Sequence, residues 1–134
     1  MELRGVVIVD GFPASVGATA SKPAWMARVA GAARREFPTP LASSSLFVKV
    51  IVFYAPTAQS FDIHNMAKPI FDALKGVAYN DDVQIRKTEQ SKRPVDGAYR
   101  LGGIDGRVVE HLAEGRDFVY LEFHELSDEE VASL

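Results

Sequence analysis

Apolar residues along the chain follow two spacings, one typical of β-strands and the other of α-helices. Residues 4–10 form a β-branched run, and residues 46–55 are nearly all apolar, which predicts a strand inside a sheet with both faces covered. Between these segments, apolar side chains recur at helical spacing from Pro23, which suits a first helical turn, to Phe37. The first part of the chain is therefore predicted to fold as strand, helix and strand.

The second half of the chain predicts a second helix and several shorter elements. The helix is expected from Asn65 to Gly76, with Pro69 in its first turn, because an interior proline costs about 3 kcal/mol. After it we expect a strand at residues 83–92, a loop or hairpin at 93–103 and a short capped helix at 105–115. A final strand at 117–125 and a last helical turn at 127–130 complete the predicted elements.

This order of elements, with the last two strands paired, predicts one compact α+β domain over residues 1–134, in which a mixed β-sheet packs against two main helices. The absence of cysteine excludes disulfides and thiolate metal sites. Because no apolar run is long enough to span a bilayer and no secretory signal is evident, we expect a cytoplasmic protein without a membrane segment.

Charge is distributed unevenly along the chain. The net charge of −3 argues against nucleic-acid binding, which usually requires an excess of lysine and arginine. Residues 75–107, however, contain seven basic and five acidic residues, whereas residues 108–134 contain eight acidic residues and one arginine. A local basic face is compatible with the negative total. The candidate DNA contacts are Lys68, Lys75, Arg86, Lys87, Lys92 and Arg93.

The segment of residues 61–86 combines four aspartates with His64, Asn65 and Lys68. Oxygen-rich side chains on a rigid frame suit a hard divalent cation such as Mg²⁺, which keeps several waters and takes one or two protein carboxylates. The stretches on either side of the second helix can converge on one ion, an arrangement that cleaves phosphodiesters. Lys68 is predicted near the N-terminus of this helix, where its charge and the helix dipole favour a substrate phosphate.

Each of these residues also has a purely structural interpretation. Asp62 can cap the helix, Lys68 can pair with Asp72 one turn later, and residues 80–82 have the composition of an ordinary turn. Taken singly, the structural interpretations are preferred, and only the combination of residues favours a site. Asp72 is predicted to be structural or to support the ligands indirectly.

The order of the motifs carries a family resemblance. The segment reads Asp62-Ile63-His64-Asn65, Lys68, Asp72-Ala73-Leu74, Gly76, Tyr79 and Asp81-Asp82-Val83-Gln84. This resembles the RusA family of Holliday-junction resolvases, whose pattern is roughly Asp-x-Asp-Asn-x-x-Lys, an Asp-Ala-Leu helix, a Gly-aromatic stretch and Asp-Asp-x-Gln. The resemblance implies a homodimer that uses Mg²⁺ or Mn²⁺ to nick two strands of a branched, four-way DNA junction.

By position, the resemblance places metal ligands at Asp62, His64 and Asp82 and the catalytic lysine at Lys68, with Asp81 as a further candidate ligand. Three features depart from the family pattern. His64 replaces an aspartate, and imidazole suits Mn²⁺ better than Mg²⁺. A glycine stands where the first loop usually has asparagine, and residues 105–115 resemble an insertion.

These departures leave two alternative functions open. The first is a catalytically impaired protein that binds branched DNA but whose metal site is altered at His64. The second is a small structural or partner-binding protein that uses its acidic C-terminal part, which only the low isoelectric point supports.

Overall fold

The chain folds around one four-stranded mixed sheet in a computed structural model that describes residues 1–99 and 105–134. Its strands are β1 (Glu2–Asp10), β2 (Leu46–Tyr54), β3 (Ile85–Pro94) and β4 (Phe118–Glu125), in the spatial order β1-β4-β2-β3. The described helices are α1 (Lys22–Glu36), α2 (Ile63–Leu74), α3 (Gly106–Glu114) and α4 (Asp128–Ala132), with a 3₁₀ turn at Asp82–Gln84. The predicted α+β class with a mixed sheet is confirmed.

The two faces of the sheet bury separate apolar clusters. The larger cluster joins α1 and α2 to one face, and its fully buried side chains include Val29, Val48, Ile70 and Leu121. The smaller cluster joins α3 to the other face through Val108 and Phe118. The expected packing of the sheet against two main helices is therefore confirmed, and α3 covers part of the opposite face.

The last strand lies between β1 and β2, and the prediction that it pairs with the preceding strand is wrong. On β4, Val119, Leu121 and Phe123 belong to the larger cluster, whereas Phe118 and Tyr120 belong to the smaller one. A strand that is apolar on both faces is most stable inside a sheet. β3 is rich in charged residues and takes an edge, where charge discourages pairing with other chains.

β2 and β3 run parallel. Parallel neighbours require a crossover connection, which α2 supplies. The helix therefore starts beyond the C-terminal end of β2 and finishes near the start of β3. The returning strand brings Lys92 back to the N-terminal end of α2, where its Nζ donates to the carbonyl of Phe61 at 2.7 Å.

Pro69 lies inside α2, and the prediction that it occupies the first turn is wrong because the helix starts at Ile63. Proline lacks an N–H, so the carbonyl of Asn65, four residues earlier, loses its helical donor. The backbone N–H of Val16 donates to that carbonyl at 2.9 Å. A loop residue thus replaces the missing helical bond, which explains how the proline is accommodated.

The other predicted elements agree with the structure to within a few residues. α1 begins after Ser21 with a proline in its first turn, and α3 ends at Gly115 in the left-handed region at φ 69°. Residues 93–94 of the predicted loop belong to β3, and residues 100–103 of that prediction lie outside the described residues. Among the described residues, no helix is long and apolar enough to cross a membrane.

Replacing Pro69 by alanine is expected to loosen the loop that carries Val16, because the new N–H competes for the carbonyl of Asn65. Loss of a hydrogen bond worth about 1 kcal/mol should speed exchange of the Val16 amide hydrogen about fivefold. Hydrogen exchange followed by NMR measures this rate. The matched control, Pro23→Ala at the start of α1, should leave it unchanged, and unaltered Val16 exchange in both variants would contradict the assigned role of the bond.

Candidate active site

A groove of about 420 Å³ runs along α2 beside β3. Its walls carry His64, Lys68 and Asp72 from α2, Asp82 from the 3₁₀ turn, and Thr88 and Gln90 from β3, above an apolar floor of Ala67, Phe71 and Ile85. Three of the predicted site residues, His64, Lys68 and Asp82, therefore line one surface. Asp72, which was predicted to be structural, lines it too.

The N-terminal end of α2 carries the first part of the predicted ligand set. Asp62 is the N-cap, and its Oδ1 accepts a hydrogen bond from the backbone N–H of His64 at 2.9 Å. The capping interpretation of Asp62 is thus confirmed. A carboxylate has about four lone-pair sites, so one capping bond leaves it able to bind a cation as well. Both side chains are exposed.

The C-terminal end of α2 gathers carboxylates around a buried phenol. The hydroxyl of Tyr79, a fully buried residue, donates to the carbonyl of Phe71 at 3.0 Å. Burial, followed by the nearby carboxylates of Asp82 and Asp72, raises the pKa of Tyr79 above its ordinary value. Tyr79 therefore stays a neutral hydrogen-bond donor at physiological pH, and its ring gives the two aspartates a fixed neighbour.

Gln84 fixes the acidic turn to a distant part of the chain. Its side-chain carbonyl accepts from the backbone N–H groups of Asn80 at 2.7 Å and Asp81 at 2.9 Å. Its side-chain amide donates to the carbonyls of Leu41 at 2.8 Å and Ser43 at 2.9 Å. The residue is only 9% exposed, so these four bonds satisfy a buried amide. They hold the acidic turn against the segment that leads into β2.

Two lysines neutralise carboxylates of the groove. Lys68 pairs with Asp72 one helical turn later, with Nζ 3.1 Å and 3.2 Å from the two carboxylate oxygens, which confirms the predicted pair. Lys75 lies between Asp81 and Asp82, with Nζ 3.5 Å from one carboxylate and 3.7 Å from the other. The carboxylates of this surface therefore already stabilise the positive charges of two ammonium groups.

The candidate ligands fall into two groups at opposite ends of α2. We call Asp62 and His64 the N-terminal half-site, and Asp81 and Asp82 the C-terminal half-site. At about 1.5 Å per residue, the twelve residues of α2 make a helix about 18 Å long, and the two half-sites flank it in the sequence. In agreement, the described residues contain no group of three or more metal-binding side chains. Each half-site supplies one or two carboxylates, which fits a cation such as Mg²⁺ that keeps most of its waters.

The sequence model of the RusA endodeoxyribonucleases matches residues 15–100 of the chain. The chain belongs to the RusA endodeoxyribonuclease family. The match spans both half-sites, the groove and the loop that contacts Asn65, whereas β1, α3 and β4 lie outside it. A search of curated protein sequences found no match.

The basic residues predicted to contact DNA do not form a single face on this RusA-family fold. Lys92 lies on the helix side of β3, with its Nζ over the ring of Phe61. Lys87 pairs in register with Phe47 and lies over its ring, on the other side of the sheet. Arg93 lies over the ring of Tyr99. Lys68 and Lys75 are exposed along α2, and Arg86 is exposed at the start of β3.

Two residues that position the site had no role assigned from the sequence. Tyr79 and Gln84 were recognised as family positions, but their contacts with Phe71 and Leu41 follow only from the fold. One local signal for Gln84 was present. An acidic residue followed three positions later by glutamine is a capping-box pattern, and Asp81 with Gln84 forms that box in the structure.

Replacing Gln84 by glutamate is expected to destabilise the protein by about 3 kcal/mol, because the buried carbonyls of Leu41 and Ser43 lose their donor and face a charge. Denaturant unfolding at pH 7 measures this loss. Part of it should be recovered at about pH 4.5, where a buried glutamate side chain can be protonated and donate again. The matched control is Gln90→Glu on the edge strand β3, where the side chain is half-buried and its amide contacts Thr88, and an equal loss in both variants would argue against the clamp.

Proposed function

We propose that this RusA-family protein is a Mg²⁺- or Mn²⁺-dependent endonuclease that cleaves four-way DNA junctions. Endodeoxyribonuclease activity on Holliday junctions is what its family indicates. The observation that carries the proposal is the exposed groove along α2, where Lys68 lies on the same surface as the carboxylates of Asp72 and Asp82. This surface lies wholly within the family match.

The two half-sites would hold the cation. Asp62 and Asp82 supply hard anionic oxygens, Asp81 supplies a third, and His64 supplies a nitrogen that favours Mn²⁺ over Mg²⁺. A bound divalent cation polarises the scissile phosphate and lowers the pKa of a coordinated water. Gln84 holds the backbone of the C-terminal half-site in place by accepting from the N–H groups of Asn80 and Asp81.

Lys68 would stabilise the charge that develops on the phosphate. Its side chain is 67% exposed and pairs with Asp72, which keeps the ammonium oriented over the groove. An exposed pair of this kind contributes only tenths of a kcal/mol, so a phosphate can replace Asp72 at little cost. A further cation, Arg86 at the start of β3, is exposed and would contact the DNA backbone.

One observation favours the second candidate function, a protein that binds junctions without cutting them. The described residues of a single chain contain no group of three metal-binding side chains, and His64 weakens the N-terminal half-site toward Mg²⁺. A RusA-like fold with basic residues on β3 would still bind branched DNA. The experiment below separates the two functions.

Asp82→Asn is expected to abolish nicking of a synthetic four-way junction and to leave junction binding intact or slightly tighter. The change removes a ligand and also relieves repulsion between carboxylate and phosphate. Nicking is followed on denaturing gels in Mg²⁺ and in Mn²⁺, and binding by gel shift in EDTA. Wild-type nicking by the variant would contradict the assignment of Asp82. A wild type that shifts junctions and nicks in neither metal would favour the binding-only function.

We further propose that the working protein is a homodimer whose metal centre joins the two half-sites across the interface. Asp62 and Asp82 flank α2 in the sequence, and the described residues of one chain bring no three metal-binding side chains together. In a two-fold dimer, the N-terminal half-site of each subunit can meet the C-terminal half-site of its partner, which makes two equivalent centres. Two centres are what symmetric incision of a junction requires.

Mixing two inactive variants tests this arrangement. Asp62→Asn and Asp82→Asn are each expected to be inactive, but a mixed dimer has one centre with both aspartates intact. After unfolding and refolding together, an equal mixture should recover about a quarter of wild-type nicking, since half of the dimers carry one of two centres. Light scattering checks the dimer. A dimer without recovery would mean that each centre belongs to one chain, and a monomer would exclude the proposal.

A further inference from the structure

Lys75 is the cation closest to the C-terminal half-site. Its Nζ lies 3.5 Å from Asp81 and 3.7 Å from Asp82, so one ammonium group serves both carboxylates. These distances are those of ionic contacts, and neither contact is a hydrogen bond, unlike the bonds between Lys68 and Asp72. The ammonium group occupies the space between two carboxylates in which a divalent cation would be attracted.

The backbone keeps Lys75 at this position. Its own N–H closes α2 by donating to the carbonyl of Phe71 at 3.1 Å. The next residue, Gly76, adopts φ 81°, a conformation that glycine reaches at no steric cost, and its N–H donates to the carbonyl of Tyr79 at 2.7 Å. The turn from Lys75 to Tyr79 is thus closed by backbone bonds, and the acidic turn that follows is fixed by Gln84.

We propose that Lys75 is an internal counter-ion of the C-terminal half-site, which competes with the divalent cation for Asp81 and Asp82. The inference rests on the proposed function, because it concerns the same half-site. Without a divalent cation, the lysine relieves repulsion between the two carboxylates and keeps them together. When the cation binds, the side chain swings out along the solvent-exposed surface, where 49% of it is already accessible. The lysine therefore sets the cation concentration at which the half-site fills.

The competing role for Lys75 is a direct contact with a DNA phosphate. The two roles predict different measurements. A counter-ion changes cation affinity when no DNA is present, whereas a phosphate contact changes DNA affinity when no cation is present. If Lys75 contacts a phosphate, its replacement should reduce the salt dependence of DNA binding. The slope of log binding constant against log salt concentration should then fall in size by about one.

The experiment uses Mn²⁺ alone as the probe. Titration of the full-length protein, with free Mn²⁺ counted by electron paramagnetic resonance, gives the dissociation constant. Lys75→Gln should lower this constant by about ten- to thirtyfold, the size expected for one unit charge about 4–6 Å from a divalent cation in a water-like dielectric. Lys75→Arg keeps the charge and should stay near wild type. The matched control is Lys87→Gln, which removes an equal charge from the side chain over Phe47 and should leave the Mn²⁺ dissociation constant unchanged.

Mn²⁺ titration of Asp82→Asn separates a failure of the proposed metal dependence from a failure of the role assigned to Lys75. If the wild-type protein shows no Mn²⁺ binding that Asp82→Asn weakens, the proposed metal dependence is overturned and the inference with it. If such binding is present and Lys75→Gln leaves its constant unchanged, the inference is wrong while the proposed function stands. Weaker junction binding by Lys75→Gln in EDTA, with unchanged Mn²⁺ affinity, would assign Lys75 to the phosphate backbone.

Discussion

The parallel pairing of β2 with β3 is the constraint from which the geometry of the candidate site follows. Parallel neighbours cannot be joined by a tight turn, so the chain must cross over the sheet, and α2 is that crossover. The helix buries Ile70 and Leu74 against the sheet, which leaves its polar side facing outward beside β3. The groove, its lysine and its carboxylates are consequences of this packing.

The same crossover divides the candidate ligands. Residues that precede the helix are held at one end by capping, and residues that follow it are held at the other end by Gln84 and Tyr79. A RusA-family subunit with this fold carries its candidate ligands in two groups, and in the proposed dimer a second copy would complete each of them.

Electrostatics ties the half-sites to their surroundings. Carboxylates gathered on an exposed surface repel one another, and Lys68 and Lys75 offset that repulsion in the absence of any ligand. These pairs are exposed and weak, which suits the proposed exchange of partners when a cation or a phosphate binds. Lys68 and Lys75 lie beside the acidic side chains of the groove. The net charge of −3 is thus compatible with an endodeoxyribonuclease, because the local charge matters more than the total.

The sequence by itself determined the elements whose signals are local. Periodicity located the helices and strands, capping residues located the ends of α3, and the spacing of Lys68 and Asp72 determined their pair. Family motifs identified the polar segment and its family, which the match over residues 15–100 confirms. The assigned catalytic, ligand and DNA-contact roles stay predictions.

Contacts between distant parts of the chain were decided only by the tertiary structure. Pro69 is acceptable inside α2 only because Val16 reaches the carbonyl of Asn65, and Gln84 is a clamp only because Leu41 lies beside it. β4 lies between β1 and β2 because it is apolar on both faces, and a central position in the sheet buries both. Hydrogen bonds and apolar burial between residues many positions apart leave no periodic signal in the sequence, because their geometry exists only once the sheet has assembled.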